Sequence, residues 1–407
     1  MRIEEPKLSE HAGRPRVAAR VIWEDCDRPA MDVYFETVSA FGDALSGGAE
    51  AFLVGCAVPA QHHGEKRILV DGDVCPELIR GVVTAMSWLR HWNDEDARPL
   101  PSIEAPRRSC PGSAAARPRA GVLMSGGVDS LAALRANRLD LPPSHPGSFE
   151  DAVMVYGQNW ESDGRPETFE AAMQALSSVA SDASVDLIPV YTNVRDLDNT
   201  PELFKYKFNS ATIASVGQAL AGRLTSASIA SSYDIATLHP RWGSHPLVDP
   251  HYSSCRVRTH HSDVALSRFE KTKLLAGWGA GLSSIRVCPR NWPGSNCGRC
   301  EKCLRTMLAL LALGALGRCT AFPAVNLTEE LLRESLVLND MTAHFYPELL
   351  SPLLAIGRRD LVRGVEYAMA RYRGEIGWRG AVKRFDRQHL NGTVFALKTA
   401  LLGVVSQ

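Results

Sequence analysis

The sequence predicts an α/β protein: a parallel sheet with helices on both faces, a small N-terminal α+β module, a zinc knuckle and a helical C-terminal region. Three observations carry this expectation. Short apolar runs alternate with helical patterns through the middle of the chain. The first of these runs ends in a glycine-rich turn that opens into a helix, and four cysteines crowd into residues 288–303. Alternation of strand and helix patterns signals βαβ units, whose parallel strands are buried beneath helices on both sides.

Taken in order, residues 16–90 hold four β-like runs, RVAARVIWED, DVYFETV, AFLVGCAV and KRILVDG, then an amphipathic helix, PELIRGVVTAMSWLRHW. This predicts an α+β module over 1–92. Residues 93–119, rich in proline, arginine and serine, read as a linker. The domain expected over 120–310 opens with the strand GVLM. Further strands are expected at 151–157, 186–192, 226–232 (SASIASS) and 283–288 (SSIRVC), with helices around 166–181, 208–222 and 265–278. From CLRTMLALLALGAL onward, residues 311–407 read as mostly helical, ending in HLNGTVFALKTALLGVV.

Bulk properties bound the function. At 407 residues, two or three domains are expected. Lys and Arg balance Asp and Glu at 45 each, which argues against nucleic acid as the main partner. The chain has no run of about 18 apolar residues, and its polar N-terminus lacks a signal-peptide core, so no membrane association and a cytoplasmic location are expected. Ten cysteines in such a chain read as ligands or buried thiols rather than a disulfide framework.

Ser125-Gly126-Gly127-Val128-Asp129-Ser130 lies between the strand ending at Met124 and the helix LAALRA. A helix N-terminus presents unpaired N–H groups and the positive end of a dipole, both of which favour phosphate. Glycines let the backbone approach the phosphates, the hydroxyls of Ser125 and Ser130 can donate to phosphate oxygens, and Asp129 can cap the helix or orient the loop and a magnesium ion. The Walker lysine is absent. The bland alternative is a turn that merely caps a helix.

The spacing Cys288-x8-Cys297-x2-Cys300-x2-Cys303 suits four thiolates around one Zn²⁺, a closed and therefore structural site, with Gly298 easing the turn between ligands. An iron–sulfur cluster, a redox disulfide and unrelated thiols are the other readings of CxxC spacing.

The string SGGVDS resembles the SGGxDS signature of the PP-loop ATP pyrophosphatase superfamily. With CGRCEKCLR (297–305), the chain over about 120–310 resembles 7-cyano-7-deazaguanine synthases. The resemblance implies a Rossmann-like PP-loop domain that binds ATP and Mg²⁺ through Met124 to Ser130 and cuts ATP between its α- and β-phosphates. It also implies a structural zinc ion. In those enzymes ATP activates the carboxylate of 7-carboxy-7-deazaguanine, ammonia gives the amide, and a second activation dehydrates it to the nitrile. The N-terminal module and the helical tail lie outside a minimal synthase, which makes this chain a synthase-like relative. Extended relatives include components of bacterial antiphage operons, for which a protein is a candidate substrate. The resemblance also implies a possible homodimer or an operon-encoded partner.

The polar segment 239–275 follows SASIASS and so leaves the carboxyl end of the sheet, where α/β ligands bind. Arg268 and Lys271 are candidates to neutralise a substrate carboxylate or the leaving pyrophosphate. His245 and His260 are candidate proton acceptors, and Asp249 and Asp263 complete the candidate substrate-binding set; His239, His251 and His261 share the segment. Each histidine taken alone reads more readily as a surface or hydrogen-bonded residue. Lys205 and Lys207 are a further candidate phosphate clamp. The expected activity is adenylation of a carboxylate or amide followed by nitrogen transfer, with ammonia or an amide-nitrogen donor supplied from outside. The alternatives are sulfur transfer, for which Cys255 would be the carrier, and a non-catalytic nucleotide-binding module.

Overall fold

Local chemistry explains most element boundaries in the computed structural model, which describes residues 1–107, 117–157, 166–238, 242–288 and 296–389. The chain divides into two compact units, Met1–Asn296 with Gly317–Ala321, and Cys297–Leu316 with Phe322–Gln407.

The first unit is built on one ten-stranded sheet. Strands β1 (Arg2–His11), β2 (Arg14–Ile22) and β3 (Met31–Thr37) form an antiparallel meander. Helix α1 (Glu50–His62) follows, then β4 (Arg67–Val70), α2 (Pro76–Trp92) and β5 (Ser102–Glu104), with β4 parallel to β1 and β5 parallel to β4. The run AFLVGCAV, expected as a strand, is α1. Every residue from Glu50 to Gln61 is buried in it, so its apolar positions are continuous and carry no helical period. β1 and β5 were not expected, because their alternating polar residues leave no apolar run.

The second half of the sheet is wholly parallel. β6 (Ala120–Leu123) leads into α3 (Val128–Asp140), β7 (Phe149–Tyr156), α4 (Pro166–Ala183) and β8 (Asp186–Thr192). The chain then runs through α5 (Pro201–Leu203), a π-helical turn (Phe204–Phe208) and α6 (Asn209–Ala219) to β9 (Ser226–Ala230) and β10 (Arg258–Ser262). Helices α7 (Arg268–Ala276) and α8 (Gly279–Ser284) complete it. Strand order here is β8-β7-β6-β9-β10, so successive connections leave β6 in opposite directions. α3, α4, α7 and α8 pack together as one layer, and α1, α2, α6 and the turn Asp249–Tyr252 as the other. Sequence expectation fails at its last strand. SSIRVC is the end of α8 and a loop, and the fifth parallel strand is instead RTHHS in the polar segment. An edge strand with polar residues has no apolar signature.

Antiparallel pairing of β3 with β8 joins the two halves of the sheet. Side chains clamp this seam: Thr37 Oγ1 donates to Pro189 O at 2.7 Å, Thr192 Oγ1 to Tyr34 O at 2.6 Å, and Tyr34 N–H to Asn193 Oδ1 at 3.0 Å. The strands of residues 1–92 thus continue the parallel sheet, and part of the expected linker is β5.

The second unit is helical: α9 (Glu301–Ala312), α10 (Glu329–Ser335), α11 (Pro347–Ala355) and α12 (Arg359–His389). Thr328 caps α10 by accepting the Leu331 N–H at 3.2 Å. Most of HLNGTVFALKTALLGVV lies outside the described residues. Among the described residues, no helix is long and apolar enough to cross a membrane.

Candidate functional site

The point where connections leave a strand in opposite directions opens a crevice at the carboxyl ends of the strands. SGGVDS occupies that point, between β6 and α3 and beside β9. Met124, buried, extends β6 by donating to Val153 O at 2.7 Å, and buried Val128 opens α3. Gly126 has φ +74°, a conformation glycine adopts freely. The Arg286 N–H donates to Gly126 O at 2.8 Å, fixing the tip of the loop. Ser130 closes it from the helix side: its Oγ accepts the Ser125 N–H at 3.2 Å and donates to Gly127 O at 3.2 Å. No side chain caps α3 by a hydrogen bond, and the Asp129 carboxylate lies in its first turn, at the positive end of the dipole.

A second helix N-terminus meets the first. α3 and α7 pack together, and α7 begins with Arg268 behind a Ser267–Glu270 capping box. Arg268 Nη1 lies 3.0 Å from Asp129 Oδ1 across this junction, and Ser232 Oγ donates to Asp129 Oδ2 at 3.2 Å. Lys271, one turn on, is 1% exposed, and its ammonium donates to Ser231 O at 2.7 Å. Burial pulls its pKa down, opposed first by the charge of Asp129 and later by those of Asp263 and Asp234. Asp263, just past β10, holds φ +62°, and burial pushes its carboxyl up against the counteracting charge of Lys271. Asp263 Oδ2 is buried with no hydrogen-bond partner among the described residues. Ser125, Asp129, Ser130, Asp263, Arg268 and Lys271 therefore meet at the carboxyl ends of β6, β9 and β10.

Three residues absent from the sequence reading join them: Ser231, Ser232 and Arg286. The serines end the SASIASS run, and their chemistry is invisible until β9 is placed beside β6. Burial lowers Arg286 to about 10, so it stays cationic at neutral pH.

The remaining candidates lie elsewhere. Asp249 is fully buried in the opposite helix layer, accepting from Ser244 Oγ at 2.8 Å and from His245 N–H at 2.9 Å, with His261 Nδ1 at 2.7 Å. His245 stacks edge-on against Trp92 at 4.7 Å. His260 is exposed on β10, where strand alternation turns it away from its neighbour His261. Lys207 is ion-paired with Glu95 at 2.6 Å, and Lys205 rests over the Tyr206 ring. His239 lies outside the described residues. Cys255 is disulfide-bonded.

The buried His245 gives a pH signature. Its Nδ1 accepts the Leu247 N–H at 3.1 Å, which only the neutral ring can do, and burial together with His261 lowers its pKa below 6.5 despite Asp249. On acidification through about pH 6.5 the unfolded chain binds a proton that the folded chain refuses, so stability falls. His245→Asn, which keeps an acceptor without a charge, is expected to flatten the fall in melting temperature between about pH 7 and 5. An unchanged slope would remove His245 from this role.

The four cysteine sulfurs, Cys288, Cys297, Cys300 and Cys303, lie within 4.8 Å of one another, an arrangement able to hold a metal ion and compatible with zinc. Zn–S bonds of about 2.3 Å require tetrahedral S···S edges of about 3.8 Å. Cys297 Sγ and Cys303 Sγ are 3.8 Å apart. N–H groups of Arg299 and Cys300 point at Cys297 Sγ, at 3.5 and 3.2 Å, the arrangement that stabilises a thiolate. Gly298 has φ +70°, and a Cβ there would sit 2.7 Å from Val325 Cγ2. Cys288 is held by buried Asn296, whose Oδ1 accepts the Val287 and Cys288 N–H groups at 2.9 and 3.1 Å. Arg305 pairs with Glu301 at 3.3 Å and stacks over Phe345.

Comparison with family models, with curated proteins and with solved structures finds no match.

Proposed function

We propose that the chain is an ATP-dependent, AMP- and pyrophosphate-forming enzyme that adenylates a carboxylate or amide and then transfers nitrogen to it. The observation that carries this reading is the meeting of the SGGVDS loop, at the sheet's switch point, with the Asp129–Arg268 pair and the buried Lys271. The reading extends the resemblance of SGGVDS and CGRCEKCLR to the 7-cyano-7-deazaguanine synthases.

In this mechanism a substrate oxygen attacks the α-phosphorus of ATP, the bond to the bridging oxygen breaks, and pyrophosphate leaves. Charge grows on the departing phosphates, where the loop N–H groups, the N-terminus of α3 and the cations of Arg268 and Lys271 stabilise it. Asp129 and the orphaned Asp263 oxygen are the hard donors that fit Mg²⁺, which would neutralise phosphate charge when bound. Ammonia then attacks the activated carbon and AMP leaves. For a nitrile product, a second ATP activates the amide oxygen, which departs with AMP. The cysteine cluster is read as a structural zinc site.

Purified protein incubated with Mg·ATP, ammonium and 7-carboxy-7-deazaguanine tests this, with AMP, pyrophosphate and the base followed by mass spectrometry and Asp129→Ala as control. AMP formed only with the acid, with a matching amide or nitrile, is the expected result. AMP without modified base would keep the adenylation and move the acceptor to another carboxylate, first on proteins encoded alongside. No AMP under any condition would sink the reading in favour of a nucleotide-binding module.

A further inference from the structure

Two adjacent histidines, His62 and His63, end α1, and the turn after β8 brings Asp198 to them. His63 Nε2 is 2.8 Å from Asp198 Oδ2, and one donor atom of each of the three residues lies within 4.8 Å of the others. Independent contacts hold the group in place. The His63 N–H donates to Pro59 O at 3.0 Å, and its ring stands edge-on to Trp23 at 5.2 Å. Asp198, 3% exposed, accepts the Thr200 N–H on Oδ1 at 2.7 Å, which leaves Oδ2 directed at the imidazole. The His62 ring is perpendicular to that of His63 at 5.0 Å, and its Nδ1 is buried with no hydrogen-bond partner among the described residues. A His–Asp tether would explain His63 and Asp198. It would not explain why a second, half-buried imidazole stands against them with its Nδ1 buried and unsatisfied.

We propose that His62, His63 and Asp198 form a second metal site, binding a zinc ion through two imidazole nitrogens and one carboxylate oxygen. Nitrogen and carboxylate donors suit zinc, and three protein ligands leave one position for water or an anionic ligand, unlike the closed four-cysteine site. Zinc with bonds of about 2.0–2.1 Å needs donors about 3.3 Å apart, so no pair has to close by more than about 1.5 Å and the His63–Asp198 pair, at 2.8 Å, opens by about 0.5 Å, within reach of side-chain rotation. Charge does not oppose this. The carboxylate offsets half the charge of the ion, and Lys207, whose ammonium His62 senses, is already ion-paired with Glu95. The site shares no residue with the phosphate loop and stands whether or not the adenylation reading holds.

The test counts metal. Full-length protein stripped of metal is titrated with Zn²⁺ and with Co²⁺, followed by elemental analysis and absorption spectroscopy. Two ions per chain are expected, one giving Co²⁺–thiolate charge-transfer bands and one giving only weak visible bands of nitrogen and oxygen ligation. His62→Ala and Asp198→Asn should each lose the second ion, or bind it at least tenfold more weakly, and keep the thiolate bands. Asp198→Asn preserves the shape and the Thr200 hydrogen bond, so it decides the matter if His62→Ala does not fold. A wild-type chain without the thiolate-free ion, or variants that retain it at wild-type affinity, would overturn the proposal.

Discussion

Arg268→Ala is expected to lower AMP release by about 100- to 1,000-fold while the protein stays folded, the range seen when one preorganised donor to developing charge is removed. Arg268 opens α7 at its meeting with α3, is 13% exposed on its side chain, and faces the Asp129 carboxylate at 3.0 Å. That contact holds the guanidinium at the loop, so under the proposed adenylation no reorganisation would be needed as charge develops on the phosphates. Arg268→Lys keeps the charge but loses the fork, and intermediate activity is expected. Lys271 offers the contrast. It is buried and bonded to Ser231 O, so Lys271→Met should change thermal stability as well as rate. Steady-state kinetics beside a melting curve separates the two. Wild-type turnover in Arg268→Ala would end the assignment of that residue to the chemistry.

The other large effect concerns the cysteines. Cys303→Ser is expected to remove one zinc equivalent per chain and to destabilise the protein by about 3 kcal/mol or more, since zinc binding free energy is folding free energy in such clusters. Cys303 is fully buried at the first turn of α9, where a hydroxyl replaces a thiolate poorly. The 3.8 Å separation of Cys297 and Cys303 matches the edge that a zinc tetrahedron would need, and without a metal the clustered thiolates would repel one another or have to take up protons. Cys26→Ser, outside the cluster, serves as the control and should leave metal content unchanged. A full metal complement in Cys303→Ser would exclude this residue as a ligand, and unaltered stability would show the ion to be unimportant for folding.

The loop before α3 and three of the four clustered cysteines were legible for the same reason. A strand–glycine turn–helix and the run Cys297-x2-Cys300-x2-Cys303 each lie within a few residues, whereas the structure had to bring Cys288 to the other three. β6 to β9, α2 and α9 were legible in the same way, through apolar periodicity. α1 was not, because a helix buried all round has no polar face to reveal its period. β10 was not, because a polar edge strand has no apolar run.

What the sequence by itself determined is therefore local: the loop before α3, the spacing of the cysteines, and the alternation that makes an α/β sheet. The tertiary structure alone decided which distant pieces share a surface. Antiparallel pairing of β3 with β8 made the N-terminal strands part of the main sheet. Placement of β9 beside β6 brought Ser231 and Ser232 to Lys271 and Asp129. On β10, the strand's two-residue alternation sent His261 to Asp249 in the helix layer opposite α7 and left His260 exposed. His63 and Asp198 stand 135 residues apart in the chain and 2.8 Å apart in space. Such meetings depend on pairing and burial between segments far apart in sequence, which no short-range pattern encodes.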